Sequence, residues 1–151
     1  MSTRSYIAFE QALCTACGAC SVACMDENDI NPSSPSEMYR KISIIEKGHG
    51  KDAKFSYLSV SCNHCENAPC ISVCPQGCIY KDEQTGFIVY DNKKCIGCRS
   101  CYRVCQIDAP VFSSDGKMEK CNGCNHRVIN GLEPACVRVC PFDALSLERL
   151  N

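Results

Sequence analysis

The arrangement of cysteines constrains this chain more than any other feature. Seventeen of its 151 residues are cysteine. Sixteen of them fall into four groups of four, and in every group the last two are separated by three residues. Group I is Cys14, Cys17, Cys20 and Cys24. Group II is Cys62, Cys65, Cys70 and Cys74, followed by Pro75. Group III is Cys95, Cys98, Cys101 and Cys105, and group IV is Cys121, Cys124, Cys136 and Cys140, followed by Pro141. Such repetition reads as one metal-binding unit used four times. Leu, Ile, Val and Phe together supply only 31 residues and there is no Trp, which is close to the lower limit for an ordered domain. Too little hydrocarbon remains for an ordinary core, so cohesion must come from what the cysteines bind. A conventional cysteine-poor enzyme domain is excluded.

Charge and hydropathy narrow the options further. A net charge of −1 leaves no basic footprint for nucleic acid, and no apolar window is long enough to span a membrane. The N-terminus, Met1-Ser2-Thr3-Arg4-Ser5-Tyr6, lacks an apolar export segment, and the expectation is a reducing cytoplasm. There, cysteines serve as ligands or redox groups rather than disulfides, and an odd number of thiols could not all pair.

Groups I and III have the C-x2-C-x2-C-x3-C run of [4Fe–4S] ligation; groups II and IV follow the same plan with a longer excursion before the third cysteine. A cubane needs four thiolates, one per iron. Two-residue gaps let a loop wrap three corners, with Ala16, Gly18, Gly97 and Gly123 allowing close backbone approach. The three-residue gap fits one helical turn, because residues i and i+4 share a face. Zinc is the main rival, since C-x2-C pairs also form zinc knuckles, but a zinc site gains nothing from a third cysteine two residues further on. The sequence therefore predicts four [4Fe–4S] clusters.

Pairing of the groups follows from the segment between II and III, where a short strand, a polar turn at Gly86 and a β-rich strand over Phe87–Tyr90 are expected. C-P, a hairpin and then C-x2-C-x2-C is the organisation of a bacterial ferredoxin, in which the fourth cysteine of each run serves the other cluster. The expected sets are therefore nested. Cluster 1 takes Cys14, Cys17, Cys20 and Cys140, and cluster 2 takes Cys24, Cys121, Cys124 and Cys136. Cluster 3 takes Cys62, Cys65, Cys70 and Cys105, and cluster 4 takes Cys74, Cys95, Cys98 and Cys101. The fold expectation is α+β: a single polyferredoxin domain over residues 1–151, made of two interleaved ferredoxin-like units related by a pseudo-twofold. The outer unit comprises 1–30 plus 110–151 and the inner unit 55–109, with short helices and β-hairpins around the clusters. Strands are expected at Tyr6–Phe9, Tyr39–Ile45, Phe55–Val60 and Phe87–Tyr90, and helical turns at 19–27, 68–74, 100–105 and 134–140. Segments 31–36 and 48–50 read as loops.

The four quartets resemble a known family. With Asn67-Ala68-Pro69-Cys70, Cys74-Pro75, Cys121-Asn122-Gly123-Cys124-Asn125-His126-Arg127 and Pro134-Ala135-Cys136, the chain is similar to the four-cluster small subunits of molybdenum or tungsten pterin oxidoreductases. These include the beta subunits of the dimethyl sulfoxide reductase and formate dehydrogenase families and the small subunits of tungsten aldehyde oxidoreductases. The resemblance spans roughly residues 6–147, and members of the family use the nested ligation. Gln106 stands where proline usually follows Cys105, Met25 follows Cys24, and Cys78 stands where alanine is usual; Cys78 reads as a small buried thiol.

The resemblance implies electron relay, with no catalytic residues of the chain's own. Its partner would be a large molybdenum- or tungsten-pterin catalytic subunit, with a flavin or hydrogenase subunit as a further partner. The alternatives are a relay for a hydrogenase or formate hydrogenlyase complex and, in another class, a zinc-structural protein. The chain ends eleven residues after Cys140, from which a cytoplasmic complex is expected. No nucleotide-binding or nucleophile motif appears. His64 and His126 are placed to donate to cluster sulfurs, or to bond locally as loop histidines. Sixteen thiolates around four oxidised cores add a formal charge of about −8, and Lys93, Lys94, Arg99, Arg103, Lys120 and Arg138 are candidate compensators.

Overall fold

The computed structural model describes residues 4–34 and 37–150. Its architecture is α+β, with five short helices and four separate two-stranded antiparallel sheets among the described residues. Strand β1 (Arg4–Phe9) pairs with β8 (Leu145–Leu150), joining the two ends of the chain, with Arg4 opposite Leu150 and Phe9 opposite Leu145. Strands β2 (Lys41–Lys47) and β3 (Lys54–Val60) form a hairpin between groups I and II. β4 (Ile79–Lys81) and β5 (Ile88–Tyr90) form the hairpin expected between groups II and III. β6 (Val111–Phe112) and β7 (Met118–Glu119) form a smaller one between groups III and IV.

Each helix but one is a carrier for cysteines. α1 (Ala19–Glu27) holds Cys20 and Cys24, one turn apart on one buried face. α2 (Pro69–Ser72) holds Cys70, α3 (Ser100–Arg103) holds Cys101, and α5 (Ala135–Arg138) holds Cys136. Pro69 opens α2, where the first turn has no N–H to lose. The exception, α4 (Asn125–Ile129), fills the long excursion of group IV. α1 packs on α5, and α2 packs on α3.

The strand expected at Tyr39–Ile45 begins two residues later and extends to Lys47. Tyr39 and Arg40 instead turn inward: both are buried, and the Tyr39 hydroxyl donates to Glu119 Oε2 (2.8 Å). Strand β8 and helix α4 were not expected, although Leu145-Ser146-Leu147 alternates as a half-buried strand does. The buried hydrocarbon is broken into small clusters, three of which include cysteines of the quartets, such as Cys20, Cys136, Val137 and Leu145. Phe87 is fully buried and tilts against the His64 ring, with centroids 4.6 Å apart. No described helix is long and apolar enough to cross a membrane.

Candidate iron–sulfur sites

The four groups share a loop geometry that spacing alone does not specify. In each, the residue two positions after the first cysteine takes a left-handed backbone: Ala16 (φ 57°), His64 (47°), Gly97 (67°) and Gly123 (69°). This conformation curls the loop around its own sulfurs. It is costly for any residue with a Cβ, so Ala16 and His64 hold it under strain. At Gly123 a second constraint applies, because a Cβ there would lie 2.6 Å from the Phe87 ring.

A second repeat follows the fourth cysteine. Three residues on, Gly77, Asp108 and Asp143 are left-handed, with φ of 61°, 50° and 51°. One residue later, the N–H of Cys78, Ala109 and Ala144 donates to the sulfur of Cys74, Cys105 and Cys140, each at 3.3 Å. Gln106, in place of proline, leaves this turn unchanged. Group I departs from it, because α1 continues past Cys24. There Asn28 Nδ2 takes over, donating to Cys24 O (2.8 Å) and lying 3.7 Å from Cys24 Sγ.

Three hollows are lined by cysteines drawn from two groups each. Cys14, Cys17, Cys20 and Cys140 line one of about 340 Å³. Cys74, Cys95, Cys98 and Cys101 line another of about 320 Å³, with the seventeenth cysteine, Cys78, also on its wall. Cys62, Cys65, Cys70 and Cys105 line the third, about 850 Å³, with Gln106, Ala109 and Lys120 on its wall. The remaining quartet cysteines, Cys24, Cys121, Cys124 and Cys136, are all buried. Cys24 lies within charge range of the other three.

Electrostatics differs thiol by thiol, and burial lifts Cys62 and Cys101, outside this interior quartet, to about 11. Burial, then the neighbouring Cys121, Cys136 and Cys124, pushes the Cys24 thiol far up, with Arg40 opposing. Burial also lifts Cys124 to about 11. At the opposite extreme, the Ser100 hydroxyl and then its N–H lower Cys98. On Cys74 burial acts upward, but the N–H groups of Cys78, Gln76 and Gly77 outweigh it and the net direction is down. Bound iron takes the place of the thiol protons, so a site where free thiols resist ionisation releases protons on loading.

Two cations are buried beside the interior quartet. Arg40 Nη1 donates to Ser59 Oγ (2.9 Å) and Nη2 to Ser61 Oγ (2.6 Å). Ser59 Oγ lies 3.4 Å from Cys20 Sγ, and Ser21 Oγ of α1 donates to Arg40 O (2.7 Å). Lys120 Nζ donates to Cys121 O (2.8 Å) and to Ile88 O, and lies 3.7 Å from Cys62 Sγ. His64 is fully buried; its Nδ1 accepts from the Ile88 N–H (3.0 Å), leaving Nε2 as the protonated nitrogen, 3.7 Å from Cys121 Sγ. Burial, then Lys120 and Arg40, holds its pKa well below the usual histidine value. His126 instead bonds Glu27 Oε1 (2.7 Å), beside an Arg127–Glu27 ion pair at 3.0 Å. Lys93 is 87% exposed and faces Asp91 rather than a sulfur, which removes it from the expected compensators. Arg103 bonds Cys98 O (2.7 Å), and Arg99 lies over the Phe112 ring. Arg40 carried no sequence signal, since it stands far from any cysteine along the chain.

The donor chemistry fits [4Fe–4S] cubes: sulfurs around hollows, with N–H groups on the sulfurs. These features define an iron–sulfur electron-transfer protein. Residues 53–150 match the 4Fe-4S dicluster domain. The chain is 40% identical to the thiosulfate reductase electron transfer subunit PhsB of Salmonella typhi, over 99% of this chain and 78% of that protein. It is 39% identical to the B subunit of the anaerobic dimethyl sulfoxide reductase of Escherichia coli K12, over 100% of this chain and 76% of the relative. Identity is 31% to the arsenate respiratory reductase iron-sulfur subunit ArrB of a Shewanella species, over 91% and 78%. The chain thus belongs to the family of [4Fe–4S] electron-transfer subunits of reductase complexes; it carries electrons and is not itself the catalytic subunit.

Proposed function

We propose that the chain relays single electrons through four [4Fe–4S] clusters to or from a large molybdenum- or tungsten-pterin catalytic subunit of the kind that reduces thiosulfate, dimethyl sulfoxide or arsenate. The ligand sets are nested: Cys14, Cys17, Cys20 and Cys140; Cys24, Cys121, Cys124 and Cys136; Cys62, Cys65, Cys70 and Cys105; Cys74, Cys95, Cys98 and Cys101. The outer unit, 1–30 with 110–151, carries the first two sets and the inner unit, 55–109, the last two, as two interleaved ferredoxin-like halves of one domain. One observation carries this reading. α1 packs on α5 and α2 on α3, so each described hollow is lined by three cysteines of one group and one of another.

A bound cube takes up and passes on one electron with little change of shape. The chain's own part is to fix the seats. α1 carries ligands of two adjacent sets on one face, Cys20 and Cys24, which brings the first pair of clusters close. Cys62, His64, Lys120 and Cys121 join the second set to the third. α2 and α3 join the third to the fourth. The order 1–2–3–4 follows.

Anaerobic isolation should yield a brown protein with about 16 iron and 16 acid-labile sulfide per chain and visible absorption that bleaches on dithionite. Co-purification should bring down a large subunit containing Mo or W. A colourless preparation, or a nickel-containing partner in its place, would overturn the reading.

A further inference from the structure

Three centres have cysteines that reach the surface to some degree, whereas all four cysteines of the Cys24, Cys121, Cys124 and Cys136 seat are buried. Each reduction places one more negative charge in its centre, and burial penalises that charge. Unless something opposes burial, the interior centre would be the hardest of the four to reduce and would interrupt the chain of transfers.

Arg40 and Lys120 occupy the two seams of this seat. Arg40 is 3% exposed and lies on the side of the first set, linked through Ser59 to Cys20. Lys120 is 1% exposed and lies on the side of the third set, touching Cys62 and bonded to the backbone of Cys121. Among the described residues neither is paired with a carboxylate. Their hydrogen bonds go to hydroxyls, carbonyls and sulfur. A buried cation without a carboxylate partner is costly, so the negative charge that balances these two must be that of the sulfur centres between them.

Resting on the ligand sets proposed above, we infer that Arg40 and Lys120 are positioning residues for the relay: their fixed charges raise the reduction potential of the interior Cys24, Cys121, Cys124 and Cys136 centre and keep it in step with its neighbours. Arg40 acts on this centre and secondarily on the first. Lys120 acts on the third, whose Cys62 sulfur it touches, as well as on this centre, whose Cys121 carbonyl it bonds. In a buried site the effective dielectric is low, so a cation acts more strongly than it would at the surface.

Redox titration followed by electron paramagnetic resonance on the holoprotein tests this. In Arg40→Gln and in Lys120→Gln, one and the same centre should shift to lower potential. The shift should be about tenfold in its one-electron equilibrium, 59 mV, with a further shift in one neighbour that differs between the two variants, the first-set centre for Arg40 and the third-set centre for Lys120. The charge-keeping Arg40→Lys and Lys120→Arg should hold that centre within about threefold of the wild type. Unchanged midpoints with full iron in either neutral variant overturn the role of that residue, as does a charge-keeping variant that reproduces the full shift. If a neutral variant loses the centre, retention in its charge-keeping counterpart supports the inference and loss in both overturns it. Failure of the four-cluster reading itself would show earlier, in a wild type without four reducible centres.

Discussion

The interior seat of Cys24, Cys121, Cys124 and Cys136 and the seat of Cys74, Cys95, Cys98 and Cys101 solve one problem in two ways. The second is served by backbone N–H groups and one hydroxyl rather than by buried cations. The Cys78 and Met118 N–H groups donate to Cys74 and Cys95 at 3.3 Å each, the Ser100 hydroxyl lies 3.5 Å from Cys98, and the Cys74 and Cys98 thiols move down, although burial lifts Cys101 to about 11. The interior seat has its own local donors, the Gly123 N–H on Cys121 (3.4 Å) and Asn28 beside Cys24. It adds buried side chains, Arg40 and His64 from distant segments and the adjoining Lys120, and its Cys24 and Cys124 thiols move up. Backbone donors and nearby solvent suffice at a partly open seat. A buried seat needs charge brought in, and bringing it in ties distant segments together. On the proposed ligand sets, the interior seat would be a redox centre and also the structural hub.

The largest effect should follow removal of all iron. The buried hydrocarbon is too scattered to hold the chain, and buried thiols near one another repel once ionised, so anaerobic chelation should abolish the circular-dichroism signature of the fold. Persistence of a native-like spectrum would break the view that clusters supply the cohesion. Next comes a paired substitution. Cys124→Ser at the hub should lower the melting temperature more than Cys98→Ser at the seat without buried cations, although each removes one ligand. Equal losses would erase the distinction between the seats.

Smaller effects sharpen the contrast. Gly123→Ala meets both a left-handed backbone and the Phe87 ring, and should destabilise by more than about 2 kcal/mol. Gly18→Ala has a left-handed backbone but open space, and should cost only about 1–2 kcal/mol. Denaturant midpoints of the holoproteins would rank them. The smallest change is expected for Ser100→Ala, where solvent can replace the hydroxyl beside Cys98. Stability should move by less than about 0.5 kcal/mol, and the midpoint of that centre should move less than it does in the Arg40 or Lys120 variants.

Much of this was written in cysteine spacing. The C-x3-C turns gave α1 and located the shorter helices, and the β4–β5 hairpin followed from the alternation around Gly86. What spacing could not carry was three-dimensional. Arg40 lies 16 residues from Cys24 and 22 from Cys62, and only the inward turn before β2 brings it to the sulfurs. Lys120 was legible because it adjoins Cys121; Lys93, two residues before Cys95 on a short 3-10 turn, faces solvent. His64 was visible as a residue between two cysteines, but its contact with Cys121 depends on how the groups are stacked. β8 escaped notice because a half-buried strand of six residues gives a weak signal beside a cysteine motif.

The central claim is that each seat crosses between groups, and iron counting in paired variants tests it most directly. Cys24→Ser and Cys124→Ser should each fall from about 16 to about 12 iron per chain, and the double variant should remain at about 12, because both residues serve one cube. Cys24→Ser combined with Cys17→Ser should fall to about 8. The reverse pattern, about 8 iron for the first double variant and about 12 for the second, would place Cys24 with its own group and contradict the account.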